Sequence, residues 1–135
     1  MTTFLVIDPW AVLAAALSAF VLGGLWYGPL FLKAWLRANG HDPAAPPPAR
    51  HPARTFGVAI GLSVVAATAM ALALPAGVGL LHGAGLGFLV GLLFVATSFG
   101  INYAFAGRPL LLWLIDGGYH VTQFTLYGAI LAAWP

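Results

Sequence analysis

Four long apolar segments, joined by short polar or proline-rich connections, are the feature that most restricts what this chain can fold into. The first runs from Pro9 to Phe31 without a charged residue. As a helix it is about 34 Å long, enough to cross the ~30 Å apolar core of a bilayer. Only 6% of the residues are charged and 61% are hydrophobic. Because a soluble domain is typically about 25% charged, the sequence predicts an all-α integral membrane protein.

The ends of the first helix carry recognisable local signals. Asp8 is a good N-cap, and Pro9 fits the first helical position, where no backbone N–H is needed. Pro29 cannot donate to the carbonyl of Leu25, so the sequence predicts a kink there. The helix either ends near residue 31 or continues to residue 38, where Asn39-Gly40 is typical of a C-terminal stop.

The sequence predicts one transmembrane domain over 1–135, a four-helix bundle made of two helical hairpins. A loop over 39–52 contains five prolines, which favour an extended segment. The N-terminal residues lack the basic region of a secretory signal, so we expect the first apolar segment to remain in the mature protein. The predicted spans are 9–31, 53–74, 80–105 and 109–134.

Charge predicts the orientation of this bundle. All Lys and Arg residues flank the first and third loops. The positive-inside rule therefore predicts that loop 32–53 is cytoplasmic and that both termini are outside. Arg outnumbers Lys four to one and Ala is abundant, which favours a bacterial inner membrane. We expect Trp10 and Trp134 at the outer interface and Trp35 and Trp113 near the inner one.

Composition also excludes several kinds of site. The net charge of +2, without a basic patch, argues against a nucleic-acid partner, and the absence of Cys removes disulfides and thiolate metal sites. As a metal ligand, His82 would need Asp116 or His120 as a partner, and we expect both to lie much deeper in the membrane; no metal-binding or catalytic motif is present. We therefore expect no metal, no cofactor and no catalytic residue.

The fourth segment carries the residues most suited to a function. Asp116 is the only acidic residue inside an apolar segment. His120, Gln123 and Tyr127 follow it at the i+4, i+7 and i+11 positions and so share its helix face. Placing a charged residue in the middle of the membrane costs on the order of 2.5–3.5 kcal/mol, so intramembrane ionisable groups are functional candidates by default. Asp116 and His120 either share a proton or are both neutral.

Depth in the membrane groups further residues around Asp116. One interpretation is a cavity that opens to the cytoplasm with Arg108 at its mouth; the alternative is an aromatic belt with ordinary packing. The proposed lining comprises Trp26, Tyr27, Asn102, Tyr103, Asp116 and Tyr119.

Three functional hypotheses fit this pattern. The first is a small transporter or channel-like protein that binds a proton or small polar solute at Asp116 and His120. The second is a non-catalytic membrane subunit or assembly factor, with Asp116 held by Asn102, Tyr103 or Tyr27 as an interhelical clamp. The third, an enzyme acting on a lipid or quinone, has the least support. Small-residue pairs such as Gly24 and Gly28 favour close helix crossings and a homo-oligomer, most simply a dimer, in the lipid bilayer.

Three motifs and the closing Trp134 carry a family resemblance. The motifs are Gly24-Leu25-Trp26-Tyr27-Gly28-Pro29-Leu30-Phe31 with Lys33 and Trp35, Asn102-Tyr103-Ala104-Phe105 running to Arg108-Pro109, and Leu114-Ile115-Asp116-Gly117-Gly118-Tyr119-His120. In these motifs the chain resembles the DUF1761 family of small bacterial four-span membrane proteins, over nearly its whole length. The resemblance implies four spans and draws attention to Trp26, Tyr27, Asn102, Asp116 and His120. It implies no substrate.

Overall fold

Helices make up the regular structure of the part of the chain that the computed structural model describes, residues 6–46 and 51–135, where no strand occurs. The all-helical prediction is therefore confirmed. The expectation about the first five residues, and the part of the proline-rich loop over 47–50 including Arg50, lie outside these ranges. The helices are α1 (Pro9–Leu25), α2 (Leu32–Ala38), α3 (Pro52–Ala73), α4 (Leu80–Val90), α5 (Thr97–Phe105) and α6 (Leu110–Ala133).

The start of α1 has the predicted cap. Asp8 Oδ1 accepts a hydrogen bond of 2.8 Å from the backbone N–H of Trp10, and Pro9 occupies the first turn. Asp8 Oδ2 also accepts a bond of 3.0 Å from the Trp134 indole N–H. One carboxylate thus caps α1 and ties the start of α1 to the end of α6.

A π-helical segment, Trp26–Leu30, follows α1 and contains the predicted kink. Gly28 has non-helical backbone angles (φ −108°, ψ −105°), and Pro29 lies next to it. The expected single helix over 9–31 is therefore interrupted, because Pro29 cannot donate to the helical ladder. After the kink, α2 ends at Ala38, and Gly40 adopts the left-handed conformation (φ +77°) expected of the predicted stop.

Three helical stretches are long and apolar enough to cross a membrane: Pro9–Leu30, Pro52–Ala73 and Leu80–Phe105. Large apolar side chains point outward from them; Leu62 and Val65 of α3, for example, are 64% and 65% exposed. Such a surface fits contact with lipid rather than water. The sequence predicted one continuous helix for the third stretch. The structure differs, because a π-helical segment at Gly91–Ala96 separates α4 from α5.

The fourth long helix, α6, packs against α1, α3, α4 and α5. Its crossing with α4 depends on glycine. A Cβ atom at Gly87 would lie 2.0 Å from the Phe124 carbonyl oxygen, and one at Gly128 would lie 1.9 Å from the Gly83 carbonyl oxygen. The two backbones therefore touch directly, as the predicted glycine spacing allows. On the other side, α1 and α3 contribute the buried Ala15, Ala16, Ala19, Ala67 and Met70.

Candidate functional site

Asp116 lies in the second turn of α6, with 8% of its surface exposed, and accepts three hydrogen bonds. The Tyr27 hydroxyl donates to Oδ1 at 2.6 Å, and the Trp35 indole N–H donates to the same oxygen at 3.1 Å. The Tyr103 hydroxyl donates to Oδ2 at 2.6 Å. We call these four residues the Asp116 clamp. It joins α6 to the π-helical segment after α1, to α2 and to α5.

The chemistry of the Asp116 clamp suits a carboxylate in an apolar surrounding. A carboxylate only accepts hydrogen bonds, and phenol and indole groups supply donors on otherwise apolar side chains. The two O–H···O distances of 2.6 Å are in the range typical of bonds to a carboxylate. The clamp therefore offsets the cost of burying Asp116 through donors that carry no charge of their own.

The kink explains how two of the donors reach Asp116. The π-helical segment carries Tyr27, and the non-helical Gly28 redirects the chain so that α2 packs against α6. The rings of Tyr27 and Trp35 then meet edge to face, with centroids 5.9 Å apart. Trp35, which the sequence predicts near the inner membrane interface, donates to the most buried carboxylate in the described part of the chain.

The second π-helical segment decides which residue of α5 faces Asp116. Buried residues recur every four positions at Gly83, Gly87 and Gly91, but the next is Ala96, five positions on. A π turn contains one extra residue, so it changes which residues of the helix after it face the neighbouring helices. Tyr103 consequently faces Asp116. Of the three alternatives considered as partners of Asp116, Tyr27 and Tyr103 donate to it, whereas the side chain of Asn102 is exposed.

His120 belongs to a second polar group, which we call the His120 chain. His120 Nδ1 lies 2.6 Å from Gln123 Oε1, and Gln123 Nε2 donates to the Tyr127 hydroxyl at 2.7 Å. The His120 ring stacks on Phe99, with centroids 4.7 Å apart, and meets the edge of Tyr119. Although Asp116 and His120 share a helix face, no hydrogen bond joins their side chains in the described part of the chain.

Other predicted site residues donate to backbone carbonyls on neighbouring helices. The Trp26 indole N–H bonds Ile115 O at 2.9 Å, and the Tyr119 hydroxyl bonds Ala19 O at 2.9 Å. Gly118 allows the first contact, since a Cβ atom there would lie 3.1 Å from the Trp26 ring. Trp26 thus joins the π-helical segment to α6, and Tyr119 joins α6 to α1.

Two cavities in the described part of the chain measure about 370 and 180 Å3. Neither is lined by Asp116 or His120. Arg108, predicted at the mouth, donates instead to Asn39 Oδ1, and Asn39 Nδ2 donates to the Trp35 carbonyl at 2.9 Å. Arg108 thus braces the end of α2, which carries one donor of the Asp116 clamp.

Sequence reasoning missed Trp35 as a partner of Asp116. No helical spacing relates Trp35 to Tyr27, because the non-helical Gly28 lies between them. No group of three His, Asp or Glu side chains in the described ranges comes together to hold a metal ion.

The comparisons with known proteins give one match. A family model described as "Protein of unknown function (DUF1761)" matches residues 10–132. No curated protein and no solved structure matches the chain.

Proposed function

The chain belongs to the DUF1761 family, a family of unknown function, and we propose that it is a non-catalytic four-span membrane subunit or assembly factor. The observation that carries this proposal is the Asp116 clamp. One carboxylate, 8% exposed, accepts hydrogen bonds from three separate helical elements.

A four-span topology places α6 across the membrane with the three apolar stretches. Two contacts support it: Asp8 to Trp134 brings the start of α1 beside the end of α6, and Arg108 to Asn39 brings the opposite ends together. At 24 residues, α6 is about 36 Å long. Lys33, Arg37, Arg54 and Arg108 lie toward the end with Asn39, so we propose that this end is cytoplasmic.

The proposed location is the bacterial inner membrane, with both termini periplasmic. We further propose that the protein self-associates, most simply as a dimer. Gly57 and Gly61 on α3 support a second helix docking there, since a Cβ atom at either would meet nothing within 4 Å.

A second candidate function is transport of a proton or small polar solute. The observation that favours it is the polar face of α6, which continues from Asp116 through His120 and Gln123 to Tyr127. In that case Asp116 and His120 would form the binding site. The two functions predict different effects of losing the Asp116 carboxylate: a clamp predicts lower stability, and a transport site predicts lost flux.

Asp116→Asn separates them. The clamp predicts a loss of about 1–3 kcal/mol in the free energy of unfolding in mixed micelles, because an acceptor oxygen becomes a donor facing donors. It also predicts no proton flux above that of empty liposomes, with or without the substitution. Asp42→Asn is the matched control: the exposed Asp42 side chain lies in the loop and accepts a local hydrogen bond of 2.9 Å from the Ala44 N–H, so stability should stay within about 0.5 kcal/mol.

The opposite result would favour transport. In that result, the unsubstituted protein conducts protons or a solute in proteoliposomes, and Asp116→Asn abolishes the flux while the free energy of unfolding stays unchanged.

A further inference from the structure

The larger cavity lies far from the Asp116 clamp, where the chain before α1, the α3–α4 connection and the end of α6 meet. We call it the terminal cavity. Its volume of about 370 Å3 lies within the usual range of small-molecule sites, about 300–1,000 Å3. Ala132 lines it, sixteen positions after Asp116 and so about 24 Å along α6. The cavity is therefore a separate place in the molecule.

The electrostatics of the terminal cavity favour a cation. Asp8 is the only ionisable side chain among the residues that line it. Each of its oxygens accepts one recorded hydrogen bond, from Trp10 N and Trp134 Nε1, and has capacity for another. Helices α3 and α6 both end here, and neither has a basic residue in its last turn. Helices α1 and α4 begin at the same place, so partial charges of both signs meet here, and the Asp8 carboxylate is the full charge that the lining side chains supply.

The remaining lining favours an organic cation over a metal ion. Metal ions such as Ca2+ need six or more oxygen ligands, whereas this cavity offers one carboxylate among residues such as Leu74, Ala76 and Leu131. The indole of Trp134 also lines it, fixed by its bond to Asp8. Ammonium groups bind carboxylates and are attracted to indole rings.

We propose that the terminal cavity binds the ammonium group of an amine-bearing lipid head group, with Asp8 and Trp134 as its recognition residues. A lipid is the expected source because the cavity lies at the end of the apolar helices, beside the 69% exposed Trp10. This inference rests on the membrane placement of the helices. It does not depend on the role of Asp116.

The experiment uses the full chain in detergent and native mass spectrometry, with dioleoyl phosphatidylethanolamine and dioleoyl phosphatidylglycerol as probes. We expect binding of the amine lipid to be about tenfold tighter than that of the glycerol lipid, and Asp8→Asn to remove the difference. Asn is also a good N-cap, so this substitution removes the charge while keeping the start of α1. Asp42→Asn should leave the preference intact.

A second variant tests the cavity without changing its charge. Ala76→Phe places a ring in the exposed α3–α4 connection, where Ala76 lines the cavity, and should weaken binding of the amine lipid. Equal binding of the two lipids, or a preference that survives Asp8→Asn, would overturn the proposal. Because neither variant touches the Asp116 clamp, this failure is distinguishable from failure of the proposed function.

Discussion

At the level of single residues, Asp116 and Gln123 of α6 differ in where their hydrogen-bond partners lie. Asp116 bonds only to residues of other helical elements, whereas Gln123 bonds to His120 and Tyr127 on its own helix. The first group therefore fixes how helices sit against one another. The second satisfies buried polar atoms along one helix, where Tyr127 is completely buried and Gln123 is 6% exposed.

This difference predicts the effect of Gln123→Leu. The substitution leaves the buried Tyr127 hydroxyl without its recorded partner, and we expect a loss of about 1–3 kcal/mol in the free energy of unfolding. In the Gln123→Leu background, Tyr127→Phe should restore part of that loss, because both polar partners are then absent. Unfolding in mixed micelles measures both effects. If the double variant lost the sum of the unfolding free energies lost by Gln123→Leu alone and Tyr127→Phe alone, that result would contradict the hydrogen bond between the two side chains.

The residues around Asp116 were only partly predictable from sequence. Tyr27 and Tyr103 were candidates because the sequence predicts them at a membrane depth similar to that of Asp116, and both donate to Asp116. Trp35 was missed because its approach depends on the backbone angles at Gly28, which periodicity does not report. Asn102 was the third alternative; it is exposed because the extra residue in the π turn directs its neighbour Tyr103, and not Asn102, toward Asp116.

At the level of elements, the closest packing in the molecule is the crossing of α4 and α6. Glycine at Gly83, Gly87 and Gly128 brings the two backbones into contact. Close approach increases van der Waals contact, which is a main source of helix association where lipid removes the hydrophobic driving force. The crossing thus supplies stability on the side of α6 opposite its contacts with α1.

Gly87→Ala tests this crossing. Its Cβ would lie 2.0 Å from the Phe124 carbonyl oxygen, so the helices must separate, and we expect a loss of about 1–3 kcal/mol. Gly85→Ala is the matched control on the same helix, because its Cβ meets nothing within 4 Å. It should be neutral or stabilise by up to about 1 kcal/mol through helix propensity. Equal unfolding free energies for the two variants would show that the crossing is not tight.

Apolar length and caps made the helices predictable, and the sequence anticipated the kink at Pro29 and the stop at Gly40. The π-helical segment Gly91–Ala96 carries no such mark, since it contains no proline. It lies where α6 packs against the third stretch. Apolar length and capping residues therefore predicted where the helices begin and end better than which of their residues face inward.

At the level of the whole molecule, the least apolar long helix is the most enclosed. The three apolar stretches qualify as membrane spans by composition, and α6 does not join them, because it carries Asp116, His120 and Gln123. These side chains bond within the protein, and α6 contacts every other long helix. An enclosed polar helix does not need a lipid-compatible surface all round. Our account is that α6 crosses the membrane at the centre of three apolar neighbours.

Cysteine labelling in intact cells tests that account most directly, because the natural chain contains no Cys. Single cysteines at Ala106, before α6, and Ala133, at its end, are both at exposed positions. We expect a membrane-impermeant maleimide to label Ala133→Cys from outside and Ala106→Cys only after permeabilisation. Ala76→Cys and Ala44→Cys, on either side of α3, serve as outside and inside references. Labelling of Ala106→Cys and Ala133→Cys from the same side would contradict a membrane-crossing α6.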